Sequence, residues 1–124
     1  MDILFDEFKN SSLYNSFIEN NRGIGNLKIR AYTASLALPI AGLEVIVSSF
    51  IDDMNVIFFK GKTDASGMIE KIELPAPLVG NNLVIPNTIT YNIVAGGNSY
   101  SVNMYDGICV VQNINMVLGD NNGN

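Results

Sequence analysis

The sequence predicts an all-β fold, an antiparallel sandwich of seven strands preceded by a short, partly helical N-terminal arm. From Gly25 onward, apolar residues recur at every second position, which is the period of a half-buried strand. Turn signals recur roughly every 8–12 residues, as is typical of sandwiches. The 124 residues, 48% of them hydrophobic, suit one domain with its own core. A small open barrel is the alternative fold.

The chain divides into an arm over residues 1–24, a sandwich over 25–118 and a flexible polar tail over 119–124. In the arm, apolar residues recur at the spacing of an amphipathic helix rather than at that of a strand. The segment Asn10–Ser12 interrupts this spacing, so the arm forms either one helix or two short helical turns. Gly23 and Gly25 mark its end.

Strands are predicted wherever apolar alternation or a short apolar run lies between turn signals. They are Leu27–Tyr32, Leu43–Val47, Asn55–Phe59, Ile69–Leu74, Ile89–Ala95, Tyr100–Met104 and a last segment from Ile108 to Leu118. Between them, Lys62–Gly67 has turn chemistry, because Asp and Ser bond the local backbone and Gly takes positive φ. Gly96-Gly97-Asn98 is a hairpin signal, and a loop covers Asn81–Asn87.

Charge and composition exclude several classes of function. Seven basic residues against twelve acidic ones give a net charge of −5, which disfavours nucleic acid and anionic membrane surfaces. No apolar run approaches the length of a membrane span. The N-terminus lacks the basic start and apolar run of a signal peptide, so we expect synthesis and retention in the cytoplasm, or release by another route.

The chain has no His and a single Cys, Cys109. Those two features remove the common zinc sites, the Ser-His-Asp and Cys-His nucleophile systems and an intrachain disulfide. We therefore expect no enzyme, no catalytic residues, no cofactor and no metal. Cys109 lies in the apolar stretch 108–111 and is expected to be buried, with intermolecular pairing as the alternative.

The segments Gly25–Ala34 and Ala37–Val47 resemble the opening of transthyretin-like or carboxypeptidase-regulatory-like domains. In that family a first strand leads into a second of the form Pro-x-x-Gly-x-x-Val, as in Pro39–Val45. Thr63–Gly67 is similar to the family's Thr-Asp-x-x-Gly turn. The resemblance covers roughly residues 17–118.

The later segments Tyr91–Val94, Tyr105–Ile108 and Gln112–Met116 look most like the version in clostridial and related Gram-positive proteins. That version includes the non-catalytic region of spore cortex-lytic enzymes and small cell-wall-associated proteins. Gly97–Tyr100 departs from the family, which places Gly-Tyr after an acidic residue there. The resemblance implies a prealbumin-like sandwich with an accessory, structural or adhesive role and no chemistry of its own.

The sequence therefore predicts a non-catalytic structural or protein-interaction module, of an assembly such as a spore or cell envelope. A carbohydrate-binding or peptidoglycan-binding accessory module is the alternative. Sugar binding would rest on Tyr32 and Tyr105, because Tyr91 and Tyr100 fall on the inward phase of their strands.

Partner binding would rest on the arm, whose apolar side chains exceed what the sandwich core needs. These side chains are Phe5, Phe8, Leu13, Tyr14, Phe17 and Ile18. They either cap the open end of their own domain or dock onto a second copy or another protein.

Two chemical sites are considered and not favoured. A calcium ion would take oxygens from Asp52, Asp53 and Asn55, which lack the spacing of a calcium loop. An isopeptide crosslink, as in related pilin sandwiches, would join Lys28 to an Asn of the last strand. The alternation turns Lys28 away from the core, so we expect a solvent-facing lysine.

Overall fold

The computed structural model describes residues 2–35, 37–80 and 87–117. The loop residues 81–86 and the predicted polar tail lie outside this part of the chain. The strands are β1 (Asp2–Leu4), β2 (Gly23–Thr33), β3 (Glu44–Ile51), β4 (Met54–Lys62), β5 (Met68–Ala76), β6 (Ile89–Ala95), β7 (Asn98–Met104) and β8 (Cys109–Met116). Two short helices, α1 (Phe5–Phe8) and α2 (Tyr14–Asn20), lie between β1 and β2.

The strands form two sheets. One has five strands in the order β1-β4-β3-β6-β7, and the other has three in the order β5-β2-β8. The all-β prediction is confirmed, but the prediction of seven antiparallel strands is wrong. β1 is an eighth strand that pairs parallel to β4, and β8 pairs parallel to β2. A strand of three residues inside a helix-like pattern carries no period-two signal, and pairing direction depends on chain path rather than on local sequence.

The predicted alternation builds the core between the sheets. Leu27, Ile29 and Ala31 of β2 are buried, as are Val45 and Val47 of β3. The intervening residues face outward, as a period of two requires. No helix in the described part of the chain has the length and apolarity to cross a membrane.

Tyr91 of β6 ties the two sheets together. Its ring is fully buried, and its hydroxyl donates a hydrogen bond of 2.6 Å to the carbonyl oxygen of Pro75 in β5. Burial raises the pKa of the Tyr91 phenol well above its ordinary value because the phenolate would lose its hydration. The inward phase predicted for Tyr91 is confirmed.

The predicted turns have the chemistry expected of them. The Asp64 carboxylate accepts hydrogen bonds from the backbone amides of Ser66 (2.8 Å) and Met68 (3.0 Å). Gly67 takes a φ of +76°, and a Cβ there would lie 2.5 Å from the carbonyl oxygen of Ala31. Only glycine fits that position without displacing backbone.

The N-terminal arm packs on its own domain. β1 pairs with β4, and the two helices place Phe8 and Phe17 beside Val56 in a second, smaller core. Phe58 joins the two cores, because its ring lies 4.6 Å from that of Phe5 and 5.1 Å from that of Tyr91, centroid to centroid. Phe58 is the extra residue where the β3–β4 register shifts, which accounts for its reach into both cores.

Candidate functional site

The six arm residues predicted to bind a partner come together in this second core. Phe8 is completely buried and Phe17 nearly so, while Phe5, Leu13, Tyr14 and Ile18 are half-buried. The aromatic rings among them contact one another, as in the edge-to-face pair of Phe8 and Phe17, whose ring centroids lie 5.6 Å apart. Of the two arrangements considered for the arm, the structure shows the one in which it covers its own domain.

The two tyrosines proposed for sugar binding lie at opposite ends of β2. The backbone of Tyr105 lies beside Gly25, near the start of that strand. Tyr32 lies near its end, roughly 20 Å away at about 3.3 Å per residue. Both side chains are half-buried. The structure does not bring Tyr32 and Tyr105 together into one platform.

A different depression, which we call the Phe50 groove, opens where β3 and β6 separate. The two strands pair from Val45 to Ser48, opposite Ala95 to Asn92. Beyond Ser48, β3 continues along β4 as far as Ile51. The groove is an open depression of about 650 Å³ whose lining includes Phe17, Asn21, Ser49, Phe50, Thr90 and Asn92.

Phe50 stands on the rim of this groove. Its side chain is 69% exposed, more than any other large hydrophobic side chain in the described part of the chain. The exposure of Phe50 follows from the strand period, because Val45 and Val47 point into the core and Ile46 and Phe50 lie on the opposite phase of β3. Phe50 pairs with Asn55 of β4.

Hydrogen bonds hold the polar side chains of the groove in place. The Ser49 hydroxyl donates to the Thr90 carbonyl oxygen (2.7 Å) and spans the gap where the β3–β6 ladder ends. The Thr90 hydroxyl donates to the side-chain oxygen of Asn103 (2.7 Å). The Ser101 hydroxyl donates to the Asn92 side-chain oxygen (3.1 Å). These two side-chain bonds connect Thr90 and Asn92 to the neighbouring strand β7.

The arm supplies the opposite wall of the groove. It is lined by Phe17 and Asn20 of α2 and by Asn21, which follows the helix. Asn21 is buried, and its side-chain amide donates a 2.9 Å hydrogen bond to the carbonyl oxygen of Phe17. The packing of Phe17 in the second core therefore sets the position of this wall.

The groove is uncharged. Each described residue that lines it is neutral, and more than half carry an amide or a hydroxyl group. An amide both donates and accepts hydrogen bonds, and a hydroxyl that donates still has lone pairs to accept. The groove therefore combines an exposed aromatic ring with neutral groups of both hydrogen-bonding types.

The outer face of the three-stranded sheet has a different character. Lys28 lies on it, 3.4 Å from the carboxylate of Glu70, and Lys71 lies 3.1 Å from that of Glu73. The outward direction predicted for Lys28 is confirmed. The burial predicted for Cys109 is wrong, because it lies on the outward phase of the edge strand β8, opposite Asn26.

The residues considered for calcium binding have structural roles in a turn and in strand pairing. Asp52 and Asp53, both at positive φ, form the two-residue tip of the β3–β4 hairpin. The Asn55 side-chain amide donates to the Asp2 carboxylate (3.0 Å) and so helps to hold β1 on β4. Within the described ranges, no cluster of three or more Cys, Asp or Glu side chains is placed to hold a metal ion.

Phe50 is not among the binding residues predicted from the sequence, although the sequence holds a signal for it. Extending the alternation of Val45 and Val47 by three residues places Phe50 on the outward phase of β3. An aromatic residue on that phase, two residues before an Asp-Asp turn, is the local sign of an exposed ring. The other walls of the groove have no such sign, because they come from distant segments.

Comparison of the sequence with models of known protein families finds no match. Comparison with curated proteins likewise finds none. The transthyretin-like resemblance therefore stays a prediction, and the function is inferred from the geometry of this chain.

Proposed function

We propose that this chain is a non-catalytic binding module that contacts its partner through the Phe50 groove. The observation that carries the proposal is the Phe50 ring, 69% exposed on the rim of the groove. Burying a phenylalanine side chain contributes about 1.5–3 kcal/mol, and here that contribution is left available for a ligand.

In this proposal the binding surface is the Phe50 groove and not the apolar residues of the arm. Phe8 and Phe17 already fill the second core, so a partner would have to displace them from their own domain to use them. The groove needs no such displacement. The arm serves binding indirectly in this proposal, by forming one wall of the site.

An accessory, structural role is what the transthyretin-like resemblance implies, and a spore or cell envelope is the setting that the same resemblance suggests. Both belong to the proposal.

Mapping with small probe molecules tests this proposal without knowledge of the ligand. We expect isopropanol, phenol and acetamide, added to the ¹⁵N-labelled chain, to shift amide resonances of Ser49–Ile51 and Asn87–Asn92 most strongly. Phe50→Ser should abolish this clustering. Val111→Ser is the matched control, because Val111 is 50% exposed on the other sheet. Probes that gather elsewhere, or an unchanged pattern in Phe50→Ser, would overturn the proposal.

A further inference from the structure

We propose that the ligand of the Phe50 groove is an uncharged glycan chain, with the Phe50 ring as the surface on which one sugar ring stacks. This inference rests on the proposed function. It adds the chemical class of the ligand and the part that each wall of the groove takes in binding it.

The groups in the groove match the two sides of a sugar. A pyranose ring presents C–H groups on its faces and hydroxyls around its edge. The exposed Phe50 ring offers apolar area to such a face. Each edge hydroxyl both donates and accepts, and the side chains of Asn20, Asn87, Thr88 and Asn92 supply partners of both types.

The electrostatics favour a neutral ligand. The described lining of the groove holds no cation to pair with a carboxylate, sulfate or phosphate, and the whole chain carries a net charge of −5. An anionic polymer approaching it would be repelled and would lose hydration without compensation. A cationic ligand would find no carboxylate in the described lining.

The size and openness of the groove favour a chain over a folded protein. Its volume of about 650 Å³ lies within the range of small-molecule sites, roughly 300–1,000 Å³. A stable protein interface buries about 800 Å² on each partner around a densely packed apolar centre. The groove has one exposed ring bordered by amides, which suits a few sugar units of a polymer that continues past both ends.

Several polar side chains of the site already have hydrogen-bond partners within the chain. Cross-strand hydrogen bonds hold Thr90 and Asn92, and the Asn21 amide is tied to the Phe17 carbonyl. A preorganised site loses little side-chain entropy when it binds, which matters for ligands that make only a few contacts.

Affinity electrophoresis tests the inference on the full chain. The gels contain one soluble neutral polysaccharide each, namely mixed-linkage β-glucan, glucomannan, hydroxyethyl cellulose or dextran, and a further gel contains anionic polygalacturonate. We expect at least one neutral polymer to retard the chain and polygalacturonate to leave its mobility unchanged. Retardation by none of the neutral polymers, or by polygalacturonate alone, would overturn the glycan assignment.

Variants locate the binding on the groove. Phe50→Ala should weaken binding to the retarding polymer by about tenfold or more, and Phe50→Tyr, which keeps an aromatic ring, should retain most of it. Asn92→Ala should also weaken it, and Val111→Ala on the other sheet should not. Thermal melting of each variant checks that the fold is intact. Equal binding by Phe50→Ala and the parent chain would contradict the inference.

The two proposals fail differently. If probe molecules still gather in the groove but no neutral polysaccharide binds, the groove remains a binding site and the glycan assignment is wrong. A titration with a neutral, Asn-rich and Ser-rich peptide then tests whether a protein segment is the ligand instead. If probe molecules do not gather in the groove, the proposed function itself is wrong.

Discussion

The two outer faces of the sandwich differ in how they meet water. On the three-stranded sheet, Lys28 and Lys71 are each paired with a glutamate, and these exposed charges stay hydrated. On the five-stranded sheet, the region around Phe50 carries hydroxyls and amides joined by cross-strand hydrogen bonds. A ligand in the Phe50 groove displaces water at a lower cost than one on the ion-paired surface, because no described residue that lines the groove is ionised.

The faces also differ in what lies beside them. The arm packs against the edge of the five-stranded sheet, through β1 on β4 and through Phe17 beside Val56. This packing turns the splayed ends of β3 and β6 into a walled groove. An element added to the sheet edge thus completes a site without contributing the Phe50 ring on its rim.

Removing the most deeply buried side chain of the arm, Phe8, should have the largest effect on this difference. Phe8→Ala should lower the free energy of unfolding by about 3–5 kcal/mol, because it leaves a cavity in the second core. Urea denaturation measures this change, and amide shifts at Asn20 and Asn21 report the loss of the wall. Phe50→Ala, which removes an exposed ring of the same size, should change stability by less than about 0.5 kcal/mol. Similar losses in both variants would contradict the assignment of the arm to its own domain.

Removing the hydrogen bond between Tyr91 and Pro75 tests whether the two sheets unfold as one cooperative unit. Tyr91→Phe should cost about 1–2 kcal/mol, since the partly buried Pro75 carbonyl loses its donor. A single unfolding transition, seen by probes on both sheets, is expected before and after the change. Separate transitions for the two sheets in the parent chain would contradict a single unit.

Tyr91→Phe should also change how the stability of the chain depends on pH in alkaline solution. Burial raises the pKa of Tyr91 in the folded chain, whereas the unfolded phenol ionises near pH 10. The stability due to this shift is fully present below about pH 10 and falls as the pH rises above it, because only the unfolded state then loses the proton. Tyr91→Phe should lack this share of the alkaline loss, and Tyr32→Phe should keep it. Identical dependence of stability on pH in Tyr91→Phe and the parent chain would contradict the assignment of this alkaline loss to Tyr91.

A smaller effect is expected where β3 and β6 separate. Ser49→Ala removes the 2.7 Å bond to the Thr90 carbonyl and should cost about 1 kcal/mol. It should also speed amide exchange at the start of β6. Ser99→Ala, at an exposed position of β7, is the control and should change stability by less than about 0.5 kcal/mol.

The smallest effect is expected on the charged face. Lys28→Gln breaks the ion pair with Glu70 and should cost about 0.5 kcal/mol or less, because both groups are partly exposed. The difference should shrink further in 1 M salt, which screens exposed charges. It should leave probe binding at the groove unchanged. A loss of groove binding in Lys28→Gln would show that the two faces are coupled.

Several features of the fold follow from local sequence. Alternation in Leu27–Tyr32 and around Val45 and Val47 assigns strands and their buried faces, because burial of one face of a sheet requires a period of two. Asp64 and Gly67 specify their turn for local reasons of hydrogen bonding and φ. By contrast, neither the parallel pairing of β8 with β2 nor the eighth strand β1 has a local signal.

The exposure of Cys109 shows where local pattern misleads. An apolar stretch such as 108–111 reads as buried on both faces. The structure places it on an edge strand of the smaller sheet, whose outer face has no described element packed over Cys109 or Val111. Whether an apolar strand is covered on both sides depends on its place in the sheet.

Residue type and period are enough to specify seven of the eight strands, the inward phase of Tyr91 and the outward phase of Lys28 and Phe50. The packing of the arm on its own domain and the Phe50 groove follow instead from tertiary contacts. The groove joins residues 17–21, 49–51 and 87–92, which meet because the second core fixes α2 beside the point where β3 and β6 separate. Contacts between segments so far apart in the chain arise from packing of the whole domain, so no local pattern encodes them.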